Sequence, residues 1–529
     1  MLKRSVWRPI ALSILVILLL AVAVFFYFLL VLDILPVKYL IPIIAVFVLL
    51  VTVSGLLLFY RIRKKRSPAR RVRRIIGVVL SVLLIAVCVY GSVVLNHANE
   101  AKHAVVAQPE NNPKSVVGIY VKADDKAKEL SEMASYRYAV LPGLGDEMLY
   151  ANYALVQLKD RFGTPVDAVP FAGIADAADA LISGDIQALA VSKGFLALLS
   201  DTEGYEEFED SVRLIEEIVV PRTATLAETP IQVEKTLPTP SPTPEPTPEP
   251  IKYGEDRPLV FYLSGMDKEG QEIEYNAHAD VNLLLAINPM TKQVLIVSTP
   301  RDTFVMNYAL GGGDKLTHCA IQGVSNSIAA LEDLYDTHVD NYCRINFTGF
   351  ADLGDLIGGI TVDNPTAFHT DYDNGDYYFE AGTITLDGYQ ALCYARERHA
   401  FGDGDLARGR NQARVITAML NKAKTDSGKI LLNHAEILKA LAGTFETDLS
   451  PDQISDLVKV AIEHLNDWEI KTYSMWGGSG IRTVASMGLQ EVAIIWPNAN
   501  SVAFAAKLLA MIADGEVITD ELLDSAPRF

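Results

Sequence analysis

VNLLLAINPMTKQVLIVST, residues 281 to 299, decides how the larger part of this chain folds. Two runs of similar length, rich in branched aliphatic residues, flank Pro289 to Thr291, which is the pattern of two strands joined by a tight turn. Folding the second run back on the first brings position 280 close to position 300. Asp280, at the entry of one strand, and Arg301-Asp302, at the exit of the other, are therefore expected at one end of a sheet. LVFYLSG (259 to 265) reads as a third strand, and Asp267 joins the same end if that strand runs antiparallel to its successor.

A second stretch, LDGYQALCYARERHAFGDGDLARGRNQARVITAML (386 to 420), begins with a helix capped at Asp387, leaves it through Arg396 and Arg398, and enters another helix at Asp405. Residues two apart in an extended exit point the same way, and Arg408 and Gln412, four apart on a helix, share a face. Five arginines between Arg396 and Arg414 repel one another unless an anion lies among them. The guanidinium fork donates two parallel hydrogen bonds to phosphate and never loses its charge. A hard cation such as Mg²⁺ takes carboxylate oxygens together with substrate phosphates. Separated Asp residues and a fan of Arg thus point to metal-assisted phosphoryl transfer or pyrophosphate binding. The residues alone go no further. His318 and His399 are candidates for contacts behind the phosphate groups, and GGGD (311 to 314) reads as a flexible turn, since it lacks the context of a nucleotide loop.

Helical stretches, the apolar VAIIWPN and the amphipathic SVAFAAKLLAMI complete an α/β domain over 256–525, large enough to bury a full core. Before it, LPTPSPTPEPTPEP (237 to 250) lies in a Pro-rich linker over 223–255 that acts as a semi-rigid spacer. Residues 115–222 carry a small α/β pattern: VVGIYV as a strand, 148–162 as a helix, and DALISGDIQALAVS as helix, turn and strand. That arrangement resembles half of a solute-binding protein, without a cluster of ligand-type side chains, and is expected to be an accessory scaffold.

Ile10 to Leu32, Leu40 to Tyr60 and Ile75 to Leu95 are apolar runs of the ~20 residues that span a bilayer core, so residues 1–98 are expected to form a membrane anchor of three helices. Nine of the fourteen residues from Arg61 to Arg74 are basic, whereas the turn between the first two runs holds only Asp33 and Lys38. Basic connections stay in the cytoplasm, which puts the N-terminus inside and everything after about Leu95 outside. The expected localisation is the cell membrane, multi-pass, with a large extracellular C-terminal region. A basic run lodged between two spans is a topology signal, so no nucleic-acid partner is expected. Beyond residue 74 the chain holds 33 basic and 64 acidic residues, which excludes a general polyanion binder and demands a local Arg cluster or a metal for phosphate. Cys319, Cys343 and Cys393 allow at most one bridge, and no spacing suggests zinc.

STPRDTFV, KLTH at Lys315 to His318, INFTGF followed by LIGGITVDNP, LDGYQAL and RERHAFGDGDLARGRNQ together resemble the LytR-CpsA-Psr family over about residues 256 to 525. The resemblance implies an α-β-α sandwich with a mixed central sheet. It implies transfer of an anionic glycopolymer, such as teichoic acid or capsule, from a polyprenyl-pyrophosphate carrier to peptidoglycan with Mg²⁺ or Mn²⁺, the lipid tail lying between sheet and helices. Carried over by motif, Asp280 and Asp405, with Asp267 nearby, are the metal-side carboxylates. Arg301, Arg396, Arg398, Arg408 and Gln412 are the pyrophosphate contacts, and Arg301, Arg396, Arg398 and Asp405 carry the chemistry. The family usually has Arg-Ser-Asp where this chain has His278-Ala279-Asp280, so His278 is the expected anion contact there. A phosphatase using water at the same site would share every motif, and a non-catalytic wall-binding or regulatory protein is the alternative of a different class.

Overall fold

Strands Ala279–Asn288 and Gln293–Ser298 pair antiparallel, with Asn288 opposite Gln293 and Leu283 opposite Ser298. Asn288 closes the loop between them. Its side-chain oxygen accepts from the N–H groups of Met290 (2.9 Å) and Thr291 (3.2 Å), and Lys292 takes the left-handed φ of 58° that completes the turn. This computed structural model describes residues 7–60, 68–106, 115–141, 147–200, 204–205, 207–221, 257–267, 270, 273, 277–464, 467–488 and 490–527. The Pro-rich linker expected over 223–255 lies outside the described residues.

The hairpin is the middle of a six-stranded sheet. Leu259–Met266 runs antiparallel to Ala279–Asn288, which brings Asp267 to the Asp280 end. Asn341–Asn346 pairs parallel with Leu259–Met266, Glu469–Ser474 pairs parallel with Gln293–Ser298, and Phe445–Thr447 closes the far edge antiparallel. The sheet is therefore mixed, and both faces are covered. On one face Tyr262, Leu284, Leu295 and Val297 bury against helices Val324–Tyr335 and Ala499–Ala513 through Leu331, Leu508 and Leu509. On the other face Phe261, Leu283, Leu285 and Ile296 meet Ala413 of helix Asp405–Thr425 and Val460 of helix Pro451–Glu463. The result is an α-β-α sandwich. The apolar VAIIWPN forms strand Glu491–Pro497 of a separate hairpin with Gly477–Thr483.

The accessory region holds a five-stranded sheet from Ser115–Lys122 to Val212–Val220, with helix Glu147–Phe162 packed on it. Its second core is continuous with the large domain. Ile174, Ala175 and Leu189 share one apolar cluster with Ile321, Val484, Met487, Val492 and Ile494. Gly173 makes the approach possible: a Cβ there would meet Met487 O at 2.8 Å and Gly488 Cα at 3.1 Å.

Three helices, Trp7–Leu32, Val37–Phe59 and Pro68–Val106, contain segments long and apolar enough to cross a membrane. The third extends beyond the expected Leu95, because the polar NHANEAKH run continues the same rod. The turn after the first helix and this extension receive helix Pro451–Glu463. Ser455 Oγ donates to Leu32 O (3.2 Å), Lys102 Nζ donates to Ser455 Oγ (3.0 Å), and Lys459 pairs with Asp33 at 2.6 Å. Val458 packs into the cluster of Leu32, Ile34 and Ala98.

Candidate active site

The sheet end expected to carry Asp280 and Arg301 does so. Arg301 Nη1 donates to Asp280 Oδ1 at 2.8 Å, and both side chains are more than nine-tenths buried. Strand exit and strand entry are held together by Thr299 N–H to Asn282 O (2.9 Å), and Asn282 is itself fixed by Tyr262 OH (2.6 Å). From the opposite layer, Arg408 Nη1 reaches Asp280 Oδ2 at 3.5 Å and Gln412 Nε2 donates to Asp280 O at 3.3 Å. The helix carrying them comes close because Gly409 faces the sheet: a Cβ there would stand 2.9 Å from Ser298 Oγ.

Arg396 and Arg398 leave the end of helix Gly388–Arg396, whose N-terminus is capped by Asp387 as expected. Between them Glu397 turns the other way, is buried, and accepts from Asp371 N–H, Asn374 Nδ2 and Ala400 N–H. That alternation leaves the two arginines on the site side, each about one-third exposed. Arg396 lies over the Phe347 ring at 4.4 Å and 3.8 Å from Asp267, while Arg398 Nη1 is 3.8 Å from Asp405 Oδ1. Arg410 and Arg414 are turned aside, to Asp403 and Asn411. His399 pairs with Asp371 and accepts from Arg398 Nε (3.0 Å).

The expected metal-side set Asp280, Asp405 and Asp267 is not gathered into one cluster. Among the described residues no three His, Cys, Asp or Glu side chains are grouped to hold a metal by themselves. Asp280 lies between two guanidinium groups and Asp267 beside a third. Asp405 instead meets Asp302, side chain to side chain. Burial pushes the Asp405 carboxyl up; Arg408, 2.9 Å away, opposes this, and the Asp302 charge adds to it. Burial acts on Asp302 in the same direction but is overcome by Lys315, 3.2 Å away, and Arg301, so Asp302 stays well below the usual carboxylate range. Two buried carboxylates in contact need a proton or a cation between them. Asp302 Oδ1 stands 3.2 Å from Lys315 Nζ and Asp405 Oδ1 2.9 Å from Arg408 Nη2, neither aligned as a hydrogen bond, and the pair fits a hard cation that takes its remaining ligands from substrate phosphate.

Asp302, placed at this sheet end by the hairpin but given no role there, and Lys315 are thus further site residues. Adjacency to Arg301 was the available signal for Asp302. GGGD is not a loose turn: Gly312–Lys315 is a strand paired with Phe304–Asn307. Its Asp314 is fully buried and accepts from Ser486 N–H (3.0 Å), Ser486 Oγ (3.0 Å) and Asn307 Nδ2 (3.1 Å). His318 Nδ1 lies 2.8 Å from the same carboxylate, and burial pushes that imidazole below its ordinary range. His278, also buried, has its ring 6.0 Å from that of His318.

An apolar cavity opens from this charged end. Asp280, Arg396, Arg408 and Gln412 form its rim, and Leu263, Phe350, Leu392, Ile416 and Met419 continue inward around about 960 Å³ of space, the open mouth included.

The model of the LytR_cpsA_psr family matches residues 227–491, half of the chain. The chain belongs to the LytR_cpsA_psr family. It is 35% identical over 213 residues to the polyisoprenyl-teichoic acid–peptidoglycan teichoic acid transferase TagU of Oceanobacillus iheyensis, covering 39% of this chain and 63% of that relative's length. The TagU of Enterococcus faecalis is 32% identical over 215 residues, covering 40% of this chain and 68% of its own. Among solved structures, the Lin1025 protein of Listeria innocua is 28% identical, with 49% of this chain and all of that one aligned at a TM-score of 0.39. B. subtilis TagU is 25% identical, with 50% and 100% aligned at a TM-score of 0.37.

Proposed function

We propose that this chain transfers an anionic glycopolymer from a polyprenyl-pyrophosphate carrier to peptidoglycan, at the outer face of the cytoplasmic membrane. One observation carries the reading: Arg396 and Arg408 stand with Asp280 at the mouth of an apolar cavity, with Arg301 paired to Asp280 and Arg398 to Asp405 behind them, so that a charged diphosphate and a lipid chain are accommodated end to end. The matched relatives are named as transferases of teichoic acid, which supports the same class of substrate. Orientation is supported by the anchor. The large domain docks on the Leu32–Lys38 turn and the far end of the third helix, and Arg73 and Arg74, against Leu56 O and the Trp7 ring, stand at the opposite end of the bundle.

In the proposed step a hydroxyl oxygen of the acceptor attacks the phosphorus bonded to the polymer. The bond from that phosphorus to the bridging oxygen breaks, and polyprenyl phosphate leaves. Arg396 at the cavity mouth and the part-exposed Arg398 bind the non-bridging oxygens, and Arg301 and Arg408 hold Asp280. The hydroxyl proton is taken up by the departing polyprenyl phosphate, so the step balances without a proton on the Asp302–Asp405 pair. Mg²⁺, held by Asp302 and Asp405 when bound, would supply charge stabilisation at the phosphate oxygens.

The test is transfer by the full chain in bilayers, with several lipid-linked polymers and peptidoglycan acceptor. Polymer should become linked to the acceptor in step with release of polyprenyl phosphate. Equal release of phosphate without acceptor would favour a phosphatase, and binding without turnover would favour a wall-binding protein.

A further inference from the structure

The hairpin of Gly477–Thr483 and Glu491–Pro497 has no part in the proposed transfer, yet it reaches the charged end of the sheet. It follows strand Glu469–Ser474, whose exit is tied to that end by Met475 N–H to Ser298 O (2.9 Å), and its second strand donates from Ile495 N–H to Asp302 O at 2.8 Å. The next residue, Trp496, packs its indole against Phe304, with ring centroids 4.9 Å apart and planes tilted by 53°. Phe304 lies two residues past Asp302, ~7 Å of extended chain, and stands opposite Lys315 in its own strand pair. An aromatic surface thus begins beside the carboxylate pair.

The sequence keeps this surface open. Gly478 is the cross-strand partner of Trp496, and Gly480 and Arg482 follow it on the same strand face. A Cβ at Gly480 would stand 2.6 Å from Trp496 Nε1, so the ring lies along the strand only because that residue has no side chain, and a Cβ at Gly478 would meet nothing. The indole keeps 40% of its surface exposed. Arg482, also exposed, holds its guanidinium 5.3 Å from the Trp496 centroid and 5.2 Å from that of Phe304, a looser approach than the 4.4 Å of Arg396 over Phe347. Among the described residues Arg482 has no carboxylate partner, although acidic residues outnumber basic ones 64 to 33 beyond residue 74, and the Trp496 Nε1–H has no acceptor. Two aromatic rings, an open donor and an uncompensated cation on one face are the groups that grip a sugar ring bearing an anion. Ring C–H groups pack on aromatic faces, a hydroxyl accepts from the indole N–H, and a guanidinium pairs with a carboxylate.

The placement decides which sugar. Asp302, Phe304, Arg482 and Trp496 stand outside the lining of the apolar cavity, and so outside the berth of the donor lipid. In-line attack brings the acceptor hydroxyl from the side opposite the departing lipid phosphate. The hairpin continues into helix Ala499–Ala513, which covers the sheet face opposite the one that helix Pro451–Glu463 covers and ties to the anchor. This face is therefore turned from the bilayer and does not suit a lipid headgroup. Peptidoglycan supplies both sugar rings and the carboxylates of its stem peptides. We propose that Trp496, Phe304 and Arg482 form the acceptor subsite, seating one sugar ring of the peptidoglycan strand on the aromatic pair with a stem-peptide carboxylate against Arg482. The proposal rests on the transfer reading only for the choice of acceptor.

The experiment titrates the full chain in nanodiscs, without donor, with a soluble peptidoglycan tetrasaccharide that carries its stem peptides, and follows Trp emission and saturation-transfer NMR. The wild type should show an emission change that Trp496→Phe removes while the NMR signal of the bound sugar persists. Trp496→Leu and Arg482→Gln should each weaken fragment binding and raise the KM for acceptor about fivefold or more, with kcat and the KM for donor unchanged. Arg482 is exposed, so Arg482→Gln carries the test even where Trp496→Leu fails to fold. Fragment with amidated stem carboxylates should bind the wild type as weakly as intact fragment binds Arg482→Gln. Unchanged fragment affinity and acceptor KM in the folded variants overturns the proposal. A rise in donor KM instead gives the face to the polymer being transferred and overturns it equally. Transfer onto peptidoglycan with acceptor KM unmoved sinks the subsite alone, whereas fragment bound at Trp496 with no polymer transferred sinks the proposed reaction alone.

Discussion

Arg396 and Arg398 are the side chains whose removal separates chemistry from folding most cleanly. Arg396 pairs with half-exposed Asp267 at 3.8 Å and lies 4.4 Å over Phe347. An ion pair of that exposure is worth ~0.2–1 kcal/mol, and an exposed cation–π contact ~0.5–1 kcal/mol. Arg396→Ala should therefore lower the unfolding midpoint by only a few degrees, since ~1 kcal/mol corresponds to ~2–4 °C in a domain of this size. Transfer should fall far more. Loss of one charged donor aimed at developing phosphate charge removes about 2.7 kcal/mol of barrier stabilisation, or ~100-fold in rate. Arg408→Ala would be a poorer test, because it strips the guanidinium from buried Asp280 and Asp405 and leaves charge uncompensated. The assay is polymer transfer alongside thermal unfolding, for both single variants and the Arg396→Ala/Arg398→Ala double variant. A folded double variant with unchanged transfer would refute the assignment of these arginines to the pyrophosphate.

The carboxylate pair predicts opposite effects on stability and activity. A carboxyl raised by burial and a neighbouring charge stabilises the fold while protonated, and that contribution is lost as pH rises through its raised value. With chelator at neutral pH, Asp405→Asn should unfold at a higher temperature than wild type and show no transfer, the difference vanishing below the ordinary carboxylate range; a lower midpoint counts against the paired-carboxylate account. For topology, a reporter fused after residue 100 should be exported and one at Ser67 retained, and export of the Ser67 fusion would overturn the orientation. Gly173→Val sets a side chain against backbone on the other domain, at the 2.8 and 3.1 Å approaches to Met487 O and Gly488 Cα. Overpacking of that kind costs ~1–3 kcal/mol. It should make the Val484–Gln490 segment protease-sensitive, and unaltered cleavage would show that the contact is not needed.

The hairpin and its charged end were legible because two apolar runs of similar length and a Pro-punctuated turn leave one way to fold residues 281 to 299. The arginine face was legible for a similar local reason: a capped helix, an extended exit and a second helix fix which side chains share a side. The meeting of Asp302 with Asp405 was not, because it depends on a bend after the strand and on how closely Gly409 lets a helix approach Ser298. Asp314 was hidden by its setting. Three glycines before an acid look like a solvent turn, and nothing local announces that the carboxylate is satisfied by Ser486, 172 residues away. The third membrane helix runs past its apolar part because a rod once formed continues through helix-compatible polar residues, and hydropathy marks only the portion in lipid.

Asp314 and Lys315 are consecutive in a four-residue strand, and consecutive side chains in a strand leave on opposite sides. One fastens the Ser486 turn, which abuts the accessory region at Gly173; the other stands 3.2 Å from Asp302. A truncated protein beginning after the Pro-rich tract would keep every arginine of the site and still lose the surface against which Val484 and Met487 are buried. For anyone trimming this chain to a minimal enzyme, the cut that seems safest on the sequence removes the buttress on which the Ser486 turn, and through it Asp314 and Lys315, is set.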